Sequence, residues 1–537
     1  MFRTSIICGI INLYVNKSQE VYMASSILSK VYTAGIMLGA SELCNAEEEQ
    51  VNILRDKLEN HHMTVAVIGQ FKRGKSTLVN SLLGTDILPT GIIPITAAVT
   101  LITYGEPSAQ VHFKNGRVQP TTLETMGEYI SEQKNPDNVL GVSHVSMTTP
   151  SPFLKEGLTF VDTPGVGSIH KHNSEAAYAF VKESDAVIFT LSVDSPINEI
   201  EIEFLRNARE YAGKFYFAVN KIDVVEEEEL SSYLYYCQKL LSDLMEVDEV
   251  KIYPVSARKG TGLEELKAKL TGDAASEVRQ ILEESARKKL INLINSSLGQ
   301  LELYWSALKS PPSLFHSRFS RLNNAFNELQ KNSIEDAKEL EEKGLKMMDT
   351  LRGQYQERSE FFDFTDDTAL TQQLTRLYSQ QLTSVETIIQ KTSDLLFVRA
   401  NELKQELSET VTRLFAMDYH YPIAEVTMTE EDAPSDMHKE RVQDFVKNTL
   451  PGAMDMGSKA IEKAMMESYE ALLTGEIGKL IENFEKDTRV VCDQLNDTLN
   501  SIMLYREEHS GNVIQRIGNL NKLIKKLRAL RDDLYRM

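Results

Sequence analysis

The sequence predicts an α/β domain, with a mostly parallel sheet covered by helices on both faces, and after it an elongated all-α helical bundle. Two observations carry this prediction. Between residues 63 and 272, short apolar runs alternate with helical segments, as expected for strands buried on both faces of a sheet. From residue 273 onward, apolar residues recur at helical spacing over long segments.

Composition describes an ordinary globular chain and narrows its partners. The 537 residues exceed one hydrophobic core and imply about two or three domains, with 42% apolar and 25% charged residues. A net charge of -20 argues against nucleic acid as the main partner, since a surface that binds nucleic acid is basic overall. Cys8, Cys44, Cys237 and Cys492 form no C-x-x-C pair, so we expect a reducing compartment without disulfides or a zinc site.

Residues 1–24 form an extension of uncertain role before the first predicted helix. The apolar stretch 6–15 follows Arg3 and resembles a signal peptide, but it contains Asn12 and lacks a small-residue cleavage site. Two alternatives stay open: a reading frame extended upstream of a start at Met23, or a disordered or loosely docked tail. No run of the chain reaches the ~18 apolar residues that span a bilayer.

A helical lead-in precedes the first strand. Between residues 25 and 62, apolar residues recur at spacings of three and four, at Ile27, Leu28, Val31, Ile36, Leu38, Val51, Leu54 and Leu58. A self-contained α/β domain has no need of such helices, so we expect them to pack against a later part of the chain.

The strongest functional motif follows the strand predicted at residues 65–68. Gly69 to Ser76 fits G-x-x-x-x-G-K-[ST], in which backbone N–H groups surround phosphates, Lys75 reaches the terminal phosphates and the Ser76 hydroxyl ligates Mg²⁺. The next stretch, Leu78–Leu83, is helical in pattern, so a helix N-terminus also faces the anion. This strand and helix disfavour a chance match. The predicted phosphate-binding residues are Gly69, Gln70, Phe71, Lys72, Arg73, Gly74, Lys75, Ser76 and Thr77.

Two further segments are predicted to contact the metal and the terminal phosphate. Residues 84–97 are rich in Gly, Pro and Thr and predict a mobile loop. In it, Thr96 is the candidate switch threonine that closes over Mg²⁺, and an ordinary loop threonine is the alternative. A strand ending at Asp162 begins D-x-x-G, so Asp162 can hold the metal through water and the Gly165 N–H can meet the terminal phosphate. D-x-x-G is weak alone and gains meaning from its place after the phosphate loop.

Residues 220–223, Asn-Lys-Ile-Asp, select the nucleotide. The Asp223 carboxylate can accept from both the N1–H and the 2-amino group of guanine, whereas adenine offers no such donor pair. Asn220 is expected to brace the neighbouring loops, and the Lys221 stem is expected to lie along the base.

The remaining strands place a last contact near the base. Beyond the final predicted strand, the Ala257 N–H, beside Ser256, is expected to meet the guanine carbonyl. Four motifs in this order predict GTP, with Mg²⁺, as the ligand. The other strands are predicted at 99–104, 109–113, 158–162, 186–191, 215–219 and 252–257, with a hairpin turn at Asn115-Gly116.

The second half of the chain predicts long helices. An apolar stripe from Leu282 to Trp305 ends at Pro311-Pro312. Helices of this length reach roughly 50 to 90 Å at 1.5 Å per residue, which favours an elongated bundle. The further helices are predicted at about residues 313–358, 367–416, 438–473 and 475–537.

Residues 417–460 are the candidate tip of this bundle. Prolines and an acidic run between residues 417 and 437 predict a chain reversal. The apolar segment 450–456 that follows fits either a tip that touches membrane or a partner, or a kinked core helix. The last helix sets five lysines and arginines beside a leucine stripe, which fits a solvated basic face better than lipid binding.

Across residues 63–270 the sequence resembles the bacterial dynamin-like proteins and, more distantly, the mitofusins. Over the helical half only the architecture matches. The resemblance implies a P-loop GTPase domain at 63–272 that dimerises face to face across bound nucleotide, and a helical neck and trunk at 273–537. It also implies that residues 25–62 pack with the last helix as part of the neck. The matching segments are Gly69–Gly84, Leu88-Pro89, Pro94-Ile95-Thr96, Val161–Ser168 and Asn220–Asp223.

Catalytic roles follow from the phosphate chemistry and the resemblance. Lys75, Mg²⁺ held through Ser76 and Thr96, and Lys72 would neutralise charge on the phosphates, and no side chain stands out as a general base. Lys72 replaces a serine that helps seat a monovalent cation in dynamins, or an arginine finger in guanylate-binding relatives. It either supplies that charge or faces solvent. The trunk tip lacks the long apolar insert of some relatives, so peripheral contact with lipid is expected rather than insertion.

These features predict a GTP-hydrolysing dynamin-like protein that couples G-domain dimerisation to trunk movement in membrane remodelling, fusion or fission. The alternative is a GTP-switched scaffold that does not act on membranes. A ribosome-assembly GTPase would need RNA, which the acidic charge disfavours. Expected partners are GTP and GDP, a second copy through the G domains or a heterotypic dynamin-like partner, and peripheral lipid. The expected location is cytoplasmic or peripheral at the inner face of a membrane.

Overall fold

The chain forms two compact units. One unit comprises the described residues up to Ser297 together with Lys526–Met537, and the other spans Leu298–Lys525. Predictions for residues 1–24, Phe71, Thr96 and Gly165 lie outside the described residues. Within the described part of the chain, no helix is both long enough and apolar enough to cross a bilayer. The computed structural model describes residues 27–70, 72–90, 98–131, 134–135, 138–155, 157–163, 180–423, 434–509 and 511–537.

The first unit contains a sheet of nine strands among the described residues. The strands are β1 (Met63–Ile68), β2 (Val99–Tyr104), β3 (Ser108–Phe113), β4 (Val118–Thr121), β5 (Val142–Thr149), β6 (Leu158–Asp162), β7 (Ala186–Ser192), β8 (Lys214–Asn220) and β9 (Ile252–Pro254). Their spatial order is β4-β3-β5-β2-β6-β1-β7-β8-β9. Five neighbouring pairs are parallel: β6–β1, β1–β7, β7–β8, β8–β9 and β2–β5. The pairs β2–β6, β3–β4 and β3–β5 are antiparallel. The predicted mostly parallel sheet is confirmed.

The central strands are apolar because both of their faces are covered. Along β1, Val65 and Val67 enter one apolar cluster, whereas Ala66 and Ile68 enter a second cluster on the opposite face. Every residue of β6 and β7 is buried. These continuous apolar runs are the pattern expected of parallel strands between two layers of helices.

Two strands that mix polar and apolar residues were not predicted, and one strand was predicted too long. β4 and β5 were not predicted, since their polar residues alternate with apolar ones and their pairing with β3 supplies the order. The predicted strand 252–257 ends at Pro254, and beyond it the Ser256 N–H bonds to the Thr261 carbonyl at 2.9 Å instead of to β8. The hairpin turn at Asn115-Gly116 is confirmed, with Gly116 at a φ of +82°.

Along the chain, the helices of the first unit precede, separate and follow the strands. The predicted lead-in is two helices, separated by a short 3₁₀ turn at Glu42–Cys44. The helices are α1 (Ile27–Leu38), α2 (Asn45–Asn60), α3 (Lys75–Leu83), α4 (Gly127–Ile130), α5 (Glu199–Arg209), α6 (Glu227–Met245), α7 (Leu263–Ser276) and α8 (Val278–Lys309), of which α8 runs on beyond Ser297.

A buried carboxylate ties α2 and α8 to the start of the central strands. Asp185, just before β7, lies with one oxygen 3.0 Å from Lys289 Nζ of α8 and with the other 3.5 Å from Lys57 Nζ of α2. It also accepts the Thr64 N–H of β1 at 3.0 Å. Burial alone would raise the pKa of Asp185, but the two ammonium groups outweigh it and hold the pKa below its usual value.

Helices dominate the second unit. They are α9 (Pro312–Ser359), α10 (Asp367–Phe415), α11 (Pro434–Asp444), α12 (Leu450–Met454), α13 (Ser458–Glu508) and α14 (Val513–Arg536), with a π turn at Phe445–Thr449. Their core includes a stack in which the Tyr378 ring lies 3.9 Å from that of Phe445 and 5.0 Å from that of Tyr469. The predicted all-α region is confirmed. The end of α14, from Lys526, belongs to the first unit.

Two predicted helix boundaries in this region are wrong. The helix predicted at 438–473 is interrupted by the π turn and by Gly457, whose φ is +91°. The break predicted near residue 474 is absent, and α13 continues through Gly475, since Leu473 and Ile477 are both buried and maintain the apolar stripe across the glycine. The interruption falls instead between α13 and α14.

Candidate nucleotide-binding site

The loop between β1 and α3 has a backbone path that requires glycine at both ends. A Cβ atom on Gly69 would lie 2.3 Å from the Thr190 carbonyl oxygen of β7. Gly74 has a φ of +86°, and a Cβ there would lie 2.5 Å from Asn220 Nδ2. Any side chain at either position would therefore displace the loop from the sheet. The close approach holds the loop at the carboxyl ends of β1 and β7.

Lys75 places a buried cation inside this loop. Its ammonium group donates to the carbonyl oxygens of Gly69 at 3.0 Å and Gln70 at 3.3 Å. Burial lowers the pKa of Lys75 to about 8, although the charges of Asp162 and Glu201 act in the opposite direction. Neutral carbonyl groups only partly replace water around the charge, so a phosphate entering the loop would stabilise the charged form.

Ser76 and Asp162 meet beside Lys75. The Ser76 hydroxyl donates to Asp162 Oδ2 at 2.8 Å. The other oxygen, Oδ1, is buried and has no hydrogen-bond partner among the described residues. Burial raises the pKa of Asp162 to about 6, against the lowering effect of Lys75 and Ser76. A hydroxyl and a carboxylate with a spare oxygen are suitable donors for hydrated Mg²⁺.

Few other side chains are available for a metal. The described residues contain no group of three or more His, Cys, Asp and Glu that could hold an ion. Mg²⁺ is commonly bound by one or two protein oxygens together with nucleotide phosphates and water. The donors fit Mg²⁺ that arrives with a nucleotide, and the third predicted ligand, Thr96, lies outside the described residues.

Asn220 connects three loops at the end of β8. Its Nδ2 donates to the Arg73 carbonyl at 3.0 Å, and its Oδ1 accepts the backbone N–H groups of Lys221 at 2.8 Å and Ala257 at 3.0 Å. This bracing was predicted. The Ala257 N–H donates to Asn220 here, and its predicted contact with the guanine carbonyl stays a prediction.

The Asp223 side chain is 16% exposed and ionised. Its Oδ1 accepts the Ser256 hydroxyl at 2.6 Å, and this hydrogen bond holds the pKa of Asp223 below its usual range. Lys259 Nζ lies 3.5 Å from Oδ2. The sequence analysis did not identify Lys259. The only sequence feature that could have indicated it is a basic residue three positions after Ser256. Ser256 therefore orients the carboxylate, which is a different role from direct contact with the nucleotide.

Lys221 is held by an acid that sequence reasoning also missed. Its backbone is left-handed, with a φ of +63°, and its Nζ lies 2.7 Å from Asp194 Oδ2. Asp194 follows β7, and its Oδ1 accepts the Ser192 hydroxyl at 2.5 Å. No motif marks Asp194 in the sequence, since its role depends on the parallel pairing of β7 with β8.

The Arg73 side chain is held by other residues of the protein. It is 1% exposed, and every guanidinium nitrogen donates to protein oxygens. Its main partner is Glu201 of α5, at 2.7 Å. A buried arginine of this kind has no donor directed at a phosphate. The predicted contact of Arg73 with phosphate, through the loop backbone, stays a prediction. Lys72, by contrast, is exposed and has a left-handed φ of +67°, and Thr77 is half-buried in α3.

The sheet, the glycine-bounded loop and the Asn220–Asp223 turn define a P-loop nucleotide-binding domain of the GTPase class. Residues 65–223 match the model of the dynamin family. The chain is therefore similar to the bacterial dynamin-like proteins, and the match to the dynamin family lies in its GTPase domain.

Three relatives illustrate the match. An uncharacterized protein in the xynA 3' region of Caldicellulosiruptor sp. (strain Rt8B.4) is 37% identical over 206 residues, which cover 38% of this chain and 51% of the relative. The probable transmembrane GTPase FZO-like, chloroplastic, of Arabidopsis thaliana is 29% identical, covering 49% and 25%. Dynamin-like protein 2 of Campylobacter jejuni is 26% identical, covering 51% and 43%. The matches span about half the length of these relatives or less.

Proposed function

We propose that this chain binds and hydrolyses GTP with Mg²⁺, and that pairing of two GTPase domains across bound nucleotide drives movement of the helical unit to remodel, fuse or divide membranes. One observation supports the catalytic part above all. Ser76 and Asp162 meet at 2.8 Å next to the buried Lys75, and Asp162 keeps a buried oxygen without a partner among the described residues.

Charge neutralisation and positioning supply the catalysis. Lys75 would bind the β- and γ-phosphates, and Ser76 would ligate Mg²⁺ while Asp162 holds it through water. Mg²⁺, when bound, neutralises charge on the bridging phosphate oxygens. Lys72 is exposed at the loop surface, where it could meet a partner domain or the leaving phosphate. Thr96 and Gly165 stay predictions for the water and the terminal phosphate.

The other face of the site would select guanine. Ser256 holds the Asp223 carboxylate ionised, so that both oxygens can accept from the N1–H and 2-amino groups. Asp194 fixes the Lys221 stem, which would lie along the base. Asn220 would keep the phosphate loop and the base-reading loop in register, and the backbone of Gly69 to Thr77 would surround the phosphates.

Contacts within the first unit support a neck that joins both ends of the chain. Lys30 of α1 pairs with Asp533 of α14 at 2.7 Å, and the Arg287 guanidinium of α8 donates to the Leu534 carbonyl at 3.4 Å. Helices before and after the GTPase domain thus contact the end of α14. In the proposed mechanism they respond together when two domains pair.

A patch in the second unit is the proposed membrane contact. Phe361 is 82% exposed and Phe364 is also exposed, both in the loop between α9 and α10, and Met456 is 77% exposed just before α13. The Tyr355 hydroxyl donates to the Ser458 carbonyl at 2.9 Å, so the two segments are neighbours. Aromatic side chains at a bundle end suit shallow contact with a bilayer.

The charges around this patch favour the alternative function, a GTP-switched scaffold that does not act on membranes. The loop 360–367 carries Glu360, Asp363, Asp366 and Asp367 without a lysine or arginine. These carboxylates would oppose approach to anionic lipid. They suit a scaffold in which the patch binds another protein. The two candidate functions therefore differ in whether the chain binds lipid vesicles.

Phosphate release from GTP and ATP tests the enzymatic part. We expect Mg²⁺-dependent release from GTP alone, and Lys75→Ala should abolish it because it removes the buried cation. Equal hydrolysis of both nucleotides would overturn the proposal.

Liposome flotation tests the membrane part. The wild type should float with zwitterionic vesicles in the presence of a nonhydrolysable GTP analogue, and Phe361→Ser/Phe364→Ser should not. Val398→Ser is the control, since Val398 is exposed on α10 away from the loop. Absence from zwitterionic and anionic vesicles with and without the analogue would instead support the scaffold.

A further inference from the structure

A buried ion pair joins the phosphate loop to a residue outside the sequence motifs. The Arg73 and Glu201 side chains are 2% and 0% exposed. Arg73 Nη2 donates to Glu201 Oε2 at 2.7 Å and Nε donates to Oε1 at 3.1 Å, which makes a two-pronged pair. Arg73 is in the phosphate loop and Glu201 is in α5. The contact therefore joins the loop to a helix that follows β7.

Glu201 is itself held rigidly and touches the loop twice. It is the third residue of α5, where its Oε2 accepts the Asn198 N–H at 3.3 Å and its own N–H donates to Asn198 Oδ1 at 2.9 Å. This is a capping box, which fixes the glutamate side chain at the helix start. Its Oε1 also accepts the Gln70 N–H at 3.3 Å. One carboxylate thus holds residues 70 and 73 of the same loop.

The pair also reaches the base-reading loop. Arg73 Nη1 donates to the Ser192 carbonyl and hydroxyl oxygens, both at 3.2 Å. The Ser192 hydroxyl donates to Asp194, and Asp194 pairs with Lys221. Asn220 meanwhile donates to the Arg73 carbonyl. A continuous set of polar contacts runs from the phosphate loop to the turn that carries Asp223.

We propose that Glu201, acting through Arg73, is a positioning residue for nucleotide binding that sets the shape of the phosphate loop before GTP arrives. The proposal rests on the proposed function of this site. Glu201 touches no nucleotide in this scheme. It holds two points of a loop whose N–H groups must converge on phosphate, and such preorganisation controls affinity.

A purely structural pair would behave differently. Buried ion pairs can often be replaced by apolar residues without loss of stability, whereas removal of one partner leaves a buried charge. If Glu201 positions the loop, a neutral replacement of both partners should restore folding but not affinity. Arg73→Met alone should be worse than the double change, because the unpaired Glu201 charge would then repel phosphate.

The experiment compares Arg73→Met, Glu201→Leu, the double variant Arg73→Met/Glu201→Leu and the conservative Glu201→Asp in the full chain. Thermal unfolding reports folding, and titration with fluorescent GTP and GDP analogues reports Kd. We expect the double variant to unfold near the wild-type temperature and to bind both nucleotides about 10- to 100-fold more weakly, the range expected for a displaced binding group. In GTP hydrolysis, KM should rise more than kcat falls.

Two comparisons keep the result interpretable. Arg209→Met/Glu246→Leu removes another ion pair of the first unit, at 3.0 Å with side chains 28% and 74% exposed, and should leave Kd unchanged. Glu201→Asp keeps the charge but shortens the reach to Gln70 and Arg73, so it should fold and show a raised Kd even if the double variant does not fold.

The outcomes separate this inference from the function on which it rests. Wild-type Kd in a folded double variant, or in folded Glu201→Asp, would overturn the positioning role and leave GTP binding intact. A wild-type chain that binds no GTP would overturn the proposed function, and the inference with it.

Discussion

Asp223→Asn should change the nucleotide that the site prefers. In the structure the Asp223 carboxylate is oriented by the Ser256 hydroxyl at 2.6 Å, and Lys259 lies 3.5 Å from its second oxygen. The substitution keeps the size of the side chain and retains an oxygen for Ser256. It replaces the second acceptor with an NH₂ group, which faces the donor edge of guanine instead of accepting from it.

The magnitude follows from the two hydrogen bonds at stake. A hydrogen bond to a charged group contributes about 1.5–3 kcal/mol, and leaving the 2-amino group against an NH₂ donor costs about 1–3 kcal/mol more, so the substitution should cost about 2.5–6 kcal/mol. At ~1.4 kcal/mol per tenfold change, GTP affinity should fall by about 10²- to 10⁴-fold. Xanthine carries N1–H and a C2 carbonyl, which match an amide oxygen and an amide NH₂. Affinity for XTP should therefore rise as affinity for GTP falls.

Competition against a fluorescent nucleotide measures both changes in one assay. Lys259→Ala is the control, because it removes a neighbouring charge while the carboxylate and Ser256 stay in place, and it should preserve the preference for GTP over XTP. A chain with Asp223→Asn that binds GTP as tightly as the wild type would refute the assignment of Asp223 to guanine.

Three further predictions concern the loop and the core of the first unit. Gly74→Ala should weaken GTP binding more than about tenfold, measured by titration, since a Cβ would lie 2.5 Å from Asn220 Nδ2. Gly84→Ala is the control. Gly84 also has a positive φ but open space around it, so this change should cost only about 1 kcal/mol of stability. Asp185→Ala should lower the free energy of urea unfolding by about 3–5 kcal/mol, because it leaves the buried ammonium of Lys289 without its carboxylate. Burial, with a contribution from a stacked histidine, lowers the pKa of His144 to about 4 from 6.5, so the unfolded chain binds the proton more readily and stability should fall as pH drops from 6.5 towards 4. The loss should be about 1–2 kcal/mol after allowance for partial exposure, and the pH dependence of unfolding should flatten in His144→Gln.

Local patterns predicted the central strands and the phosphate loop. The run Val65–Ile68 is apolar at every position because both faces of β1 are covered, and Gly69 and Gly74 are required by backbone contacts. Such features depend on a few adjacent residues. β5 was missed because five of its eight residues are polar and its partners lie in β2 and β3.

Contacts between residues that are distant in the sequence were not predicted. Arg73 lies in the phosphate motif, yet its side chain forms an ion pair with Glu201, 128 residues further along the chain. The hydrogen bond from the Ala257 N–H to Asn220 Oδ1 was likewise not predicted. In the helical unit, a helix was predicted to end near residue 473, but apolar packing on both sides carries α13 through Gly475. Tertiary contacts decided each of these cases.

The motif residues and the residues that shape the site are therefore different sets. Phosphate binding needs Lys75 and the loop N–H groups, but the loop reaches its shape through Thr190, Asn220 and Glu201, which approach from three other segments. A related sequence could keep G-x-x-x-x-G-K-S intact and still lose affinity if the acid at the start of α5 changed. Conversely, replacing Arg73 and Glu201 together could preserve the fold, since a neutral pair leaves no buried charge. Affinity measured across such paired changes, rather than the motif alone, would report whether the loop is in its binding conformation.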